Sequence, residues 1–235
     1  MSLVVDANKR DLRFANTELK KLLAQGPVTL RNVAHLHGVA AGLKNGEVII
    51  AGDSGDYLGA LNDGAIIRVE GNAGKYLADN MTHGVVIVEG DAEYGAGPYC
   101  YGGTIVVRGS AGDFTAVMNK GATIIIGGDV GDDVATYMLA GDLIILGNAG
   151  TNLGNYLIRG NIYIRGEWVS LGNNALLEEM KPDDVAKLRD HFETYGLDTD
   201  PTVFKKIVRL SEKPFYKAKT EDQFERVVES MPLAG

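Results

Sequence analysis

The chain has very little cysteine: Cys100 is the only one among 235 residues. No internal disulfide can form, and one thiolate cannot hold an iron–sulfur cluster, which normally takes four such ligands. Long apolar runs are also missing. No stretch reaches the roughly 18 residues of a membrane-spanning helix. The first twenty residues carry Asp6, Lys9, Arg10, Asp11 and Arg13 in place of a signal-peptide apolar core, so a cytoplasmic location is expected. A basic stripe is lacking too. The net charge is −8, and residues 40–172 alone hold 15 acidic against 7 basic side chains. That balance excludes the electrostatic footprint of nucleic-acid or anionic-membrane binding. The phosphate-binding pattern G-x-x-x-x-G-K-[ST] occurs nowhere, and Gly127-Gly128-Asp129-Val130-Gly131 has no helix pattern after it.

Glycine, by contrast, is abundant and periodic. Gly52, Gly71, Gly90, Gly109, Gly128, Gly147 and Gly166 stand 19 residues apart. A fixed period of that size means stacked units that each touch only their neighbours. Two positions before each marker stand Ile50, Val69, Val88, Val107, Ile126, Ile145 and Ile164. Four before it stand Val48, Ile67, Val86, Ile105, Ile124, Leu143 and Ile162. Residues two apart in a strand share a face, so these two β-branched columns predict one core. Corner glycines follow at Gly55, Gly74, Gly112, Gly131 and Gly150, and a small column continues through Gly59, Gly97 and Gly154. Between the corners sit Asp53, Asn72, Asp91, Ser110, Asp129 and Asn148, residues suited to turns.

One strong strand and several corners per 19 residues describe a single-stranded right-handed parallel β-helix of about seven coils. A leucine-rich repeat would need L-x-x-L-x-L-x-x-N, and no coil has it. Val28, Leu30 and Val33 carry the pattern one coil earlier. The expected organisation is therefore a lead-in over 1–27, a β-helix over 28–172 and a helical tail over 173–235. Residues 16–25 should form a capping helix with Asn16 as N-cap. Residues 174–195 and 202–211 read as helical, with Pro182 near a helix start and Gly196 as a stop, and 220–229 reads as a further turn or two.

Candidate sites are few. His35 and His37 would share a face if they alternate on a strand, and with His83 or an aspartate could bind metal. His191 is expected to face solvent. The Asp/Asn/Ser column is read as a polar turn ladder, because calcium-binding nonapeptide repeats use a different spacing. Cys100, in a coil where Glu93 replaces a glycine, is expected to be a buried structural residue, with a reactive thiol as the alternative. The column three before each marker reads Ile49, Arg68, Ile87, Val106, Ile125, Ile144 and Tyr163. It should point outward yet is apolar, so it needs a cover. A terminal helix of this chain and another protein are equally good covers at this stage.

The recurrent G-x-x-G-x-x-x-G, as in Gly52-Gly55-Gly59 and Gly147-Gly150-Gly154, resembles the GXGXG domain that ends the large subunit of glutamate synthase. The same motif occurs in stand-alone subunits of N-methylglutamate synthase and of formylmethanofuran dehydrogenase. The likeness covers about residues 3–172, and the tail EEMKPDDVAKLRDHFETYGLDTDPTVFKKIV is similar to that of the stand-alone glutamate-synthase type. The resemblance implies a non-catalytic brace between an amidotransferase and a barrel carrying FMN and an iron–sulfur cluster. Here Ser2, not cysteine, follows Met1, so no catalytic or cofactor-binding residue is expected on this chain. Separate amidotransferase and FMN/iron–sulfur subunits are the expected partners, with self-association left open. The alternatives are a formylmethanofuran dehydrogenase subunit and an autonomous small-molecule-binding β-helix.

Overall fold

The computed structural model describes residues 3–210. Nine parallel strands stack in chain order: β1 (Leu3–Asp6), β2 (Val28–Arg31), β3 (Glu47–Ala51), β4 (Asp63–Val69), β5 (His83–Val88), β6 (Thr104–Val107), β7 (Lys120–Ile126), β8 (Ala140–Ile145) and β9 (Asn161–Ile164). From β3 onward the register repeats the sequence period. Val48 pairs with Ile67, Ile67 with Val86, Val86 with Ile105, and so on to Leu143 with Ile162. The fold is thus a parallel β-helix. Both aliphatic columns point inward and are fully buried at every coil.

Shorter parallel contacts run along a second wall, Ala73–Ala92–Ala111–Val130–Ala149–Trp168. Two further columns complete the interior: Leu58, Leu77, Ala96, Thr115, Val134 and Leu153, then Asn62, Met81, Cys100, Asn119, Met138 and Leu157. Asn62 and Asn119 are fully buried polar groups, and each is satisfied locally. The Asn119 side chain accepts from Ala122 N at 2.9 Å and donates to Ala122 O at 2.8 Å, and Asn62 does the same with Ala65. They close a corner where backbone groups would otherwise go unpaired.

The N-terminal helix starts earlier than expected. α1 spans Leu12–Leu23 with Asp11 as N-cap, its carboxylate accepting from Phe14 N at 2.8 Å. Ala15 and Leu19 are buried against the first coils. Asn16 lies inside the helix and fastens it to the β-helix, accepting from Ala40 N (2.8 Å) and donating to Gly38 O (3.0 Å).

The C-terminal region differs more. Only part of 174–195 is helical: β10 (Ala175–Glu178) precedes α2 (Pro182–Tyr195). Pro182 opens α2, and Gly196 ends it in the left-handed conformation. The stretch expected as a helix over 202–211 is a short 3-10 turn, Pro201–Val203, followed by β11 (Lys205–Arg209). β11 pairs antiparallel with β9 and with β10. The reason is the edge. The last coil presents unpaired backbone groups, and an antiparallel strand satisfies them where a helix cannot. The segment 220–229 lies outside the described residues.

Candidate functional site

The marker and corner glycines are required chiefly by how closely successive coils approach. At Gly112 a Cβ would lie 2.9 Å from Tyr94 N and 3.0 Å from Glu93 C, backbone of the coil below. At Gly71, Gly74, Gly90, Gly109, Gly128, Gly131, Gly147, Gly150 and Gly166 a Cβ would overlap both the preceding coil's backbone and its Asp, Asn or Ser side-chain oxygen. At Gly55 the obstacle is the carbonyl of Leu36. Positive φ applies at Gly52 and along the small column at Gly59, Gly97 and Gly154.

The oxygens that crowd these glycines form hydrogen-bonded ladders. Asp53 accepts from Asn72 N, Asn72 from Asp91 N, Asp91 from Ser110 N, Ser110 from Asp129 N, Asp129 from Asn148 N and Asn148 from Glu167 N, all at 2.7–3.1 Å. A second ladder runs beside it: His37 accepts from Asp56 N, Asp56 from Lys75 N, Asp113 from Asp132 N and Asp132 from Thr151 N. Glycine and acceptor are therefore one device. The missing Cβ makes room for the side-chain oxygen that takes up the next coil's N–H.

The histidines do not converge. His35 and His37 lie in a turn, so the shared strand face disappears. His35 contacts Arg10 O at 3.1 Å, His37 heads the second ladder, and His83 contacts Asp63 Oδ1 at 2.8 Å. Among the described residues no group of three or more His, Cys, Asp or Glu side chains could hold a metal ion. His191 is half-buried on α2, and burial lowers its pKa despite Asp142 nearby. Cys100 is fully buried in an interior column, and burial pushes its thiol up to about 12. That disposes of the reactive-thiol alternative at neutral pH.

The outward apolar stripe is covered by the chain itself. Ile87, Val106, Ile125, Ile144 and Tyr163 pack with Leu188 and Phe192 of α2 and with Phe204 in a second hydrophobic cluster. Of the two covers open from the sequence, the chain's own helix is the one in place over these five, whereas Ile49 is not in that cluster and is half-buried. Polar contacts fasten the cover. The Tyr163 hydroxyl donates to Asp184 at 2.6 Å, and Lys206 lies 3.1 Å from Asp184 and 3.0 Å from Glu178. Burial pushes the Asp184 pKa up, but hydrogen bonds from Tyr163, Lys181 N and Lys206 outweigh it and hold the carboxyl below its usual range. At the far end Arg108 donates to Tyr195 O at 2.7 Å, a cation at the negative end of the helix dipole.

A feature not anticipated is a row of tyrosines. Tyr57 stacks on Tyr76 (centroids 4.8 Å), Tyr76 meets Tyr94 edge-on (5.5 Å), and Tyr94 meets Phe114 (5.3 Å). Four residues on in the coil, a parallel column holds Tyr99, Tyr137 and Tyr156, the last two stacked at 5.2 Å. The signal was in the sequence, since Tyr57 and Tyr76, like Tyr137 and Tyr156, differ by 19. One open cleft of about 520 Å³ lies between the end of α2 and the 3-10 turn, lined by Arg189, Phe192, Glu193, Leu197 and Thr199. No helix among the described residues is long and apolar enough to cross a membrane.

No curated protein matches the chain. The family described as GXGXG motif matches residues 24–217, which takes in the coils from β2 to β9, α2 and the antiparallel cap. With a match over most of its length and a glycine–acceptor ladder repeated along its coils, the chain belongs to the GXGXG motif family.

Proposed function

We propose that this chain is a structural subunit of a glutamate-synthase-like flavoprotein complex, bracing separate amidotransferase and FMN/iron–sulfur subunits. The observation that carries the reading is the family match together with the way its conspicuous polar residues are used. Asp53, Asn72, Asp91, Ser110, Asp129 and Asn148 each take up a backbone N–H of the next coil. The interior is filled mostly by aliphatic and methionine side chains, with Cys100 and Thr115 among them and two asparagines that bond their own corner. Such a molecule has a rigid body and gives its chemistry-bearing groups to structure, which suits a brace. The FMN and the cluster belong to the partners on this reading, and no step is assigned to this chain.

The test is purification of the tagged chain from its native host, followed by flavin and metal analysis. Co-elution of a flavoprotein with FMN and iron, without molybdenum or tungsten, is the expected result. Molybdenum or tungsten in the complex would favour the formylmethanofuran dehydrogenase alternative. A lone chain that binds flavin or hydrolyses glutamine would overturn the structural role.

A further inference from the structure

We propose that the face bearing Tyr57, Tyr76, Tyr94, Tyr99, Tyr101 and Tyr137 docks a lysine- or arginine-rich surface of a partner subunit. The inference rests on the subunit reading above and specifies which face is used and what chemistry it recognises.

Seven of the ten tyrosines belong to this one side of the coils, counting Tyr156. Tyr57, Tyr94, Tyr99, Tyr101 and Tyr137 are 36–55% exposed, and Leu61 beside them is 60% exposed. Ring stacking from coil to coil accounts for the ring faces, as it would in any solenoid. It does not account for so many part-exposed tyrosines gathered in neighbouring columns among the described residues. Tyrosine offers large contact area at low entropic cost with a polar tip, and it is enriched where proteins meet. The opposite apolar stripe already has its cover in α2.

Charge selects the partner. Asp56, Asp79, Glu93, Asp113, Asp132 and Asp133 stand close to the ring positions in their coils, against Lys44, Lys75 and Lys120 in the same columns. The pKa values of Tyr57 and Tyr94 are raised, first by burial and then by neighbouring tyrosines and carboxylates. Lys120 displays the recognition chemistry on this face. Its ammonium lies 4.1 Å from the Tyr101 ring centroid, 5.7 Å from that of Tyr99, and donates to the Tyr101 hydroxyl at 2.8 Å. Cations over tyrosine rings beside carboxylates gain from both.

The experiment uses the native complex. A photo-crosslinking phenylalanine analogue replaces Tyr99, and the adduct is mapped by mass spectrometry. A crosslink to a lysine- or arginine-bearing peptide of the flavin-carrying partner is expected. Crosslinks to a second copy of the chain, to residues 211–235, to a glycan, or to nothing in an intact complex would overturn the proposal. In parallel, Glu93→Lys with Tyr99→Ala should weaken partner retention by about tenfold or more, with steeper loss as salt rises, while the unfolding temperature of the isolated variant stays near that of the parent. If the unaltered chain recovers no flavoprotein, the subunit reading itself fails. If it recovers one and the double variant recovers as much, only the docking face fails.

Discussion

Replacing Gly112 by alanine tests the coil-stacking argument directly. Gly112 has no left-handed backbone, so alanine brings no conformational penalty of that kind. The cost must come from space. The new methyl would sit 2.9 Å from Tyr94 N, 3.0 Å from Glu93 C and 3.1 Å from Tyr94 Cα. These are backbone atoms of the neighbouring coil, held by hydrogen bonds on both sides, so the coils must part locally. Overpacking of this kind costs about 1–3 kcal/mol. Loosening the adjacent Gly112 N to Ala92 O bond, already 3.2 Å, adds about 1 kcal/mol. The expected loss is about 2–4 kcal/mol, read as a lower urea midpoint and a melting temperature reduced by roughly 4–16 °C for a chain of this size. Gly42→Ala is the control, because Gly42 has φ +65 and open space where the methyl would go. It should cost about 1 kcal/mol through backbone conformation alone. If Gly112→Ala were no more destabilising than Gly42→Ala, the claim that glycine is there to let the coils approach would be refuted.

Asp184→Asn should destabilise by about 2 kcal/mol at neutral pH, since Lys206 loses one of its two carboxylates in a buried setting. The Asp184 pKa is held below the ordinary 3.8 in the folded chain, so this contribution is complete above about pH 4 and fades as pH falls through the folded value. Chemical denaturation at pH 7 and pH 3 should show the parent–variant gap narrowing in acid, and a gap that widens would contradict the assignment. Asn119→Leu removes the side-chain acceptor of the buried Ala122 N–H and should cost about 2 kcal/mol by urea titration. Cys100 should resist iodoacetamide at pH 8 in the folded protein and react fully in denaturant, and rapid native labelling would show the thiol is not buried. Asn16→Ala should cost about 1 kcal/mol and raise hydrogen exchange in α1, because the helix loses its two side-chain bonds to the Gly38–Ala40 loop.

The periodic part of the molecule was legible because each coil solves the same local problem. Val48 through Ile162 and Ile50 through Ile164 repeat at 19 and share a face, so inward columns and register follow together. The polar ladder was legible as turn chemistry, but its direction was not. That Asp53 reaches up to Asn72 N, nineteen residues on, depends on one coil lying against the next. The tyrosine row is equally periodic. Its meaning is hidden in the sequence because tyrosine at a repeat position reads as surface decoration until its neighbours are seen to stack.

What sequence alone determined is the coil: its period, its two aliphatic columns, its small residues and its lack of a second cysteine. Patterns that recur within one stretch of chain need no knowledge of distant partners. What only the tertiary structure decided lies at the ends and on the outside. The segment around Lys205–Arg209 has apolar residues that suit either a helix or a strand, and the open edge of β9 selects the strand. The stripe from Ile87 to Tyr163 had two equally good covers, and α2, anchored by Tyr163–Asp184 and Arg108–Tyr195, supplies one from the same chain. Both outcomes turn on contacts between segments far apart in sequence, where local propensity carries no information and the burial of unpaired edges and apolar surface decides.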